Sequence, residues 1–183
     1  MVFNKKVEIL RLGHRKLRDA RITTHVALTG RALGASRMFL CGERDPTIGR
    51  SVNKVCESWG GSFDVVYRED WQHLLRSYAG VKVHLTMYGA PLEDRMPEIR
   101  DRSANSDLLV VVGSEKVPGK VYELVDYNLS VTSQPHSEIG ALALFLDRLL
   151  GGSELRLDFP GGKRRIIPQD RGKNVVKLDD STS

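Results

Sequence analysis

Short apolar runs alternate with segments of helical period from the N-terminus to about residue 150, and no other feature restricts the fold of this chain as strongly. The run "DLLVVVG" (107–113) is apolar at every position from Leu108 to Val112. Such a run suits a parallel strand covered on both faces, since a half-solvated strand would alternate. Strands are expected over 7–12, 37–40, 62–67, 81–85, 107–112 and 127–131. Helices are expected over 23–33, 47–59, 70–78, 118–125 and 135–150, with glycine placed to end four of them, at Gly34, Gly60, Gly80 and Gly151. The class is therefore α/β, a mostly parallel open sheet with helices on both faces.

With 183 residues, 40% of them hydrophobic, the chain can bury one sizeable core. That core is assigned to a domain over 1–152. Beyond Gly152 the composition changes, and 153–183 reads as a C-terminal arm. In it two strand-like pieces flank Pro160-Gly161-Gly162 as a hairpin, ahead of a frayed tail. No apolar stretch has the length of a signal peptide or a membrane span, so a soluble, cytoplasmic protein without a membrane partner is expected. Cys41 and Cys56 have no CxxC partner and read as reduced structural thiols.

The net charge of +5 is unevenly spread: residues 1–50 hold 11 Lys and Arg against 4 Asp and Glu, whereas 51–150 hold 10 against 14. The densest part is "RLGHRKLRDAR" (11–21), with Arg11, Arg15, Lys16, Arg18 and Arg21 beside His14 and a single acid, Asp19. A solvated loop is one reading. A polyanion footprint is the other, favoured because clustered cations repel one another without an anionic partner and because arginine suits bidentate phosphate contacts. Arg11, His14, Arg15 and Lys16 are the candidate contacts to such a polyanion.

In open α/β sheets ligands sit beyond the carboxyl ends of the strands. Three loops there stand out: "LTMYGAPL" (85–92), "GSEKVPGK" (113–120) and the joint "VTSQPHSEIGALALF" (131–145). In the joint, Pro135 fits the first turn of a helix with Gln134 near its N-cap, and Glu138 complements the helix dipole. A plain cap would explain that much. It leaves unexplained the thin face of Gly140, Ala141 and Ala143, which permits close approach of another segment or a second subunit. No GxGxxG follows the first strand, and no GxxxxGK[ST], GxSxG or metal-spaced His/Cys cluster occurs, so dinucleotide, P-loop, hydrolase and metal chemistry find no support.

Three stretches, "LRLGHRKLRDARITTHVALTGRALGA" (10–35), "GSEKVPGKVYELVDYNLSV" (113–131) and "TSQPHSEIGALALFLDRL" (132–149), resemble the archaeal tRNA (cytidine-56) 2′-O-ribose methyltransferases of the SPOUT class. The resemblance implies a trefoil knot at the C-terminal end of the domain, S-adenosyl-L-methionine as methyl donor, tRNA as substrate and a homodimer. It places the donor against Leu85, against Gly113, Ser114, Glu115, Lys116 and Val117, and against Val131, Thr132, Ser133, Gln134, Pro135, His136, Ser137 and Glu138. The alternatives are a non-catalytic RNA-binding protein of the same fold and a methyltransferase of this class acting on another RNA. A ribose hydroxyl attacking a sulfonium methyl needs a group that takes its proton or steadies the alkoxide, and no metal. Many ribose methyltransferases of the class use an arginine in the first helix, but Leu28 stands at that position in "VALTGRALGA" (26–35). The role passes to an arginine expected to precede the helix, Arg18 or Arg21.

Overall fold

In the computed structural model, which describes residues 5–114 and 116–178, six parallel strands form one sheet in the order β3-β2-β1-β5-β4-β6. They are β1 (Val7–His14), β2 (Arg37–Gly42), β3 (Asp64–Tyr67), β4 (Val81–Pro91), β5 (Leu108–Gly113) and β6 (Tyr127–Ser130). The central pair runs in register from Val7 opposite Leu108 to Leu12 opposite Gly113.

Strand alternation sorts the apolar side chains to two faces. Val7 and Ile9 of β1, Val81, Val83 and Leu85 of β4 and Leu108, Val110 and Val112 of β5 meet the larger helical layer. That layer is α1 (Lys16–Ala32), α2 (Pro46–Trp59), α4 (Leu92–Ser103) and α6 (Glu138–Leu150). Leu10, Leu12, Phe39, Cys41, Leu109 and Val111 meet α3 (Trp71–Ser77) and α5 (Lys120–Leu124) on the other side. Both faces are covered, as the unbroken apolar run of β5 requires. Cys41 and Cys56 are free thiols.

Several helices differ from expectation. Helix α1 starts at Lys16, not at 23, so Arg18 and Arg21 lie inside it. Two acids fasten its first turn: Glu43 accepts from the Lys16 N–H at 2.8 Å, and Asp19 reaches back to the Arg15 N–H at 3.1 Å. Helix α6 starts at Glu138, capped by the Ser137 hydroxyl, which accepts from the Ile139 N–H; Pro135 and Gln134 lie outside it. Helix α4 was not among the expected helices, although Pro91 was a possible helix start; its sequence "LEDRMPEIRDRS" is mostly charged and contains Pro97. Its buried face is a spaced series, Leu92, Met96, Ile99 and Ser103.

Strand β4 runs past residue 85 with a break in register: Leu85 and Ala90 both pair with Leu129 of β6. Gly89 makes the return possible. A Cβ there would lie 2.5 Å from the backbone of Asn128 and Leu129.

The C-terminal arm does contain a hairpin, but its strands are β7 (Arg164–Ile166) and β8 (Val175–Lys177). Pro160-Gly161-Gly162 is instead a turn seated on the end of α2, where the Gly61 N–H donates to Pro160 O at 2.7 Å. The tail expected to fray, 179–183, lies outside the described residues.

Candidate active site

At the carboxyl end of β5, beside the middle of β4, lies a cavity of about 730 Å³, a size that suits a nucleoside-containing ligand. Strand β4 contributes His84, Leu85 and Thr86; the last residue of β5 and the chain after it contribute Gly113, Ser114, Lys116 and Val117; α5 contributes Tyr122; and the joint and α6 contribute His136, Glu138 and Ala141. The cavity therefore straddles the sheet edge, with Leu85 and Ala141 from one apolar face and Val117 from the other.

Of the residues expected to hold a methyl donor, Leu85, Gly113, Ser114, Lys116, Val117, His136 and Glu138 form the wall. Glu115 lies outside the described residues. Val131, Thr132, Ser133, Gln134, Pro135 and Ser137 do not line the cavity; several of them shape the joint that does. Ser130 Oγ donates to Thr132 O, Thr132 Oγ1 accepts from the Gln134 N–H, and Gln134 O holds His136 Nδ1 at 2.7 Å. The loop after β5 is stitched to β1: the Ser114 N–H donates to Leu12 O at 3.0 Å and Ser114 Oγ donates to Gly13 O. These bonds tie the end of β1, which leads into α1, to the cavity wall.

The basic cluster divides on folding. Arg11 leaves the surface altogether: its side chain is fully buried and Nη2 meets Glu138 Oε1 at 2.7 Å. His14 is buried too, with Nδ1 2.9 Å from Thr23 Oγ1 and Nε2 4.0 Å from Asp45 Oδ2. Burial holds its pKa below the usual histidine value, against the pull of Asp45 and Asp19. Neither residue can touch an RNA phosphate from these positions. Odd-numbered residues of β1 point into the larger helical layer, which is why a residue drawn from a basic run ends in the interior. Arg15 is half-buried and pairs with Asp19 through Nε at 2.9 Å. The Arg15 side-chain bond holds the Asp19 carboxyl below its ordinary range, so Asp19 is ionised and committed to that pair. Lys16, Arg18 and Arg21 remain exposed on α1, and no ion pair joins Arg18 or Arg21 to another described residue.

Sequence reasoning missed a polar cluster on the α5 side of the cavity. His84 is 1% exposed, with its ring perpendicular to that of Tyr122 at 4.9 Å between centroids. Its Nδ1 lies 2.9 Å from Asn128 Oδ1, Asn128 Nδ2 donates to Tyr122 O at 3.0 Å, and the Tyr122 hydroxyl is 3.1 Å from Thr86 Oγ1. A histidine inside the apolar strand "VKVHL" was the available signal.

Solved structures share this architecture. The AdoMet complex of the SpoU methyltransferase AviRb from Streptomyces viridochromogenes matches 82% of this chain and 58% of its own, with TM-score 0.55 and 16% identity. An RNA 2′-O ribose methyltransferase matches 80% of this chain and 56% of its own, with TM-score 0.60 and 16% identity. The fold is that of the SPOUT-class RNA methyltransferases. Sequence narrows it further. Residues 59–176 match the family model described as tRNA ribose 2′-O-methyltransferase, aTrm56. The tRNA (cytidine(56)-2′-O)-methyltransferase of Thermococcus kodakarensis is 51% identical over 178 residues, 96% of this chain and 99% of that one. Its namesake from Methanocaldococcus jannaschii is 54% identical over 173 residues, 93% of this chain and 96% of that one. The chain belongs to the aTrm56 family of tRNA ribose 2′-O-methyltransferases.

Proposed function

We propose that this protein methylates the ribose 2′-hydroxyl of cytidine 56 in tRNA, with S-adenosyl-L-methionine as donor. The observation that carries the reading is identity above half across nearly the full length of both chains with proteins of that name. The cavity supports it independently: its wall offers apolar surface from Leu85, Val117 and Ala141 for a base, and charged groups, Lys116 and Glu138, for an amino-acid end. Leu85, Gly113, Ser114, Lys116, Val117, His136 and Glu138 would hold the donor, which when bound supplies an electrophilic methyl on a sulfonium that departs as a neutral thioether. The residues 131–135 and 137 set the course of the joint over it.

The chain's own task is to seat the ribose and manage the hydroxyl proton. Arg18 or Arg21, exposed on the first turns of α1, is the group proposed to meet the 2′-oxygen. A guanidinium is a poor base, so its role is to steady the developing alkoxide, and the hydroxyl proton passes to solvent water. Lys16 and Arg15 at the same helix start contact phosphates. A homodimer is part of the proposal: Leu17 is 100% exposed and Ile22 41% on α1, and Leu144 is 49% exposed on α6, the helix packed beside it. So is the trefoil knot, at the passage from edge strand β6 to α6 beneath α1. A tRNA substrate puts the protein in the cytoplasm, and no helix among the described residues is long and apolar enough to cross a membrane.

Mass spectrometry of nucleosides and fragments, after incubating the protein with isotope-labelled donor and an unmodified tRNA transcript, tests the reading. Label on the ribose of cytidine 56 is expected. Label on a base, or at another nucleotide, overturns it.

A further inference from the structure

We propose that His84 is a specificity residue of the donor site, whose Nε2 accepts a hydrogen bond from an N–H group of the donor. The proposal rests on the reading of the cavity as the donor's site.

The tautomer follows from the partners. The Tyr122 carbonyl can only accept, so it takes the N–H of Asn128 Nδ2, at 3.0 Å. Asn128 therefore turns Oδ1 to the imidazole, 2.9 Å from Nδ1. An amide oxygen can only accept, so Nδ1 carries the proton. Burial holds the ring below the ordinary histidine pKa, against the pull of the Asn128 bond, so the imidazole is neutral at pH 7 and Nε2 presents a lone pair.

That lone pair faces the cavity. Among the described residues Nε2 has no partner, yet it is not among their fully enclosed orphan atoms, which belong to Arg11, His14, Arg31, Arg37 and Glu154. His84 is otherwise enclosed and lines the cavity, so the cavity is where Nε2 meets solvent. A buried acceptor left open on a ligand wall favours a ligand that donates there and penalises one that cannot. The donor has two N–H groups that can do so, the exocyclic amine of adenine and the α-ammonium; its ribose hydroxyls donate through O–H and are retained in all three compounds below.

Calorimetry with three stable compounds separates them: S-adenosylhomocysteine, S-inosylhomocysteine, in which a carbonyl replaces the amine, and 5′-methylthioadenosine, which lacks the amino acid. His84→Phe keeps a ring against Tyr122 and removes the acceptor. The variant is expected to bind S-adenosylhomocysteine about ten- to a hundred-fold more weakly than wild type. If the amine is the partner, its preference over the inosyl compound collapses; if the ammonium is, its preference over methylthioadenosine does. Both preferences unchanged from wild type overturns the assignment of His84. A second measurement needs no variant: the ring ¹⁵N signals of wild-type His84 should show Nε2 unprotonated in the free protein and shifted by S-adenosylhomocysteine. A protonated Nε2, or one the ligand leaves unmoved, equally overturns the proposal. Failure of wild type to bind S-adenosylhomocysteine at all overturns the cavity's assignment, and His84's role with it.

Discussion

Arg11 near the end of β1 and Glu138 at the start of α6 meet at 2.7 Å across 127 positions of sequence, the guanidinium fully buried and the carboxylate side chain 25% exposed. Nε and Nη1 of Arg11 have no hydrogen-bond partner, so Glu138 is the one side chain among the described residues that bonds this buried charge, with Asp19 adding a weaker attraction. Burial pulls the Arg11 pKa down, against the attraction of Glu138. The pair fixes the first turn of α6, and with it one wall of the cavity.

The two halves of the pair should respond unequally to removal. Glu138→Gln leaves a cation in the interior and is expected to cost about 3–5 kcal/mol of stability. Arg11→Met leaves a carboxylate that can hydrate through the cavity, and should cost clearly less. Arg11→Met with Glu138→Gln should be more stable than Glu138→Gln alone. Urea denaturation of the three variants reads the order directly, and a double variant no better than Glu138→Gln contradicts it.

Most of the sheet was legible because β5 and its neighbours are buried on both faces, where periodicity and burial say the same thing. Helix α4 and the first two turns of α1 were not. Their exposed positions are crowded with charge, and what makes them helical is tertiary: the Leu92, Met96, Ile99 face under α4, and Glu43 from the β2–α2 loop holding the Lys16 N–H. The site divides the same way. Leu85, Gly113 and Glu138 follow from a rule about strand ends together with a family likeness. Arg11 reads with the basic run, although the strand expected over 7–12 already places it in a covered sheet, because its partner Glu138 lies 127 positions away, and His84 looked like an interruption of a strand until Asn128 and Tyr122 stood beside it.

The exposed cations of α1 should separate by kinetics. Lys16→Ala is expected to weaken tRNA binding modestly, lower the salt slope of binding by about one, and leave the single-turnover rate at saturating tRNA unchanged. Arg18→Ala or Arg21→Ala is expected to lower that rate about a hundredfold with little loss of binding, as removal of a transition-state donor does. Normal rates in both arginine variants would place the stabilising group elsewhere.

Stability should fall on acidification in two steps. His14 and His84 are held below the ordinary histidine pKa, chiefly by burial, whereas in the unfolded chain they protonate near about 6.5. Below that pH the unfolded state binds more protons than the folded one, so stability declines as pH drops toward the folded values. Asp19 and Asp45 have depressed pKa values, led by side-chain bonds from Arg15 and Thr47 respectively. Their contribution is present above the ordinary aspartate pKa of about 3.9 and is lost as pH falls through the folded values. Urea midpoints from pH 7.5 to 3 should show both declines, and His14→Gln should shallow the upper one only. An unchanged slope between pH 6.5 and 5 in that variant would mean that His14 titrates alike in both states.

The C-terminal arm should detach as a unit when one aromatic is removed. The Arg31 guanidinium lies over the Phe159 ring at 4.7 Å and donates through Nη2 to Gly60 O, tying the arm, the end of α2 and α1 together. Gly60 has φ 82°, and a Cβ there would lie 2.0 Å from Phe159 O, so the fit admits only glycine. Among the described residues downstream, Gly162 and β7 touch α2, but Arg164, Arg165 and Lys177 of the hairpin are exposed, and Ile166 is 59% exposed. Phe159→Ala removes the stack and the ring packed on Gly61 but leaves the sheet and its two apolar layers intact. Limited trypsin digestion should then cut at Lys163, Arg164 or Arg165 about tenfold faster than in wild type, the loss of a contact worth about 1–2 kcal/mol. The fragment carrying β1 to α6 should survive with an unchanged melting temperature. Equal cleavage rates would show that the hairpin is held by contacts other than Phe159, and loss of the core fragment along with the arm would show that the arm completes the core rather than resting on it.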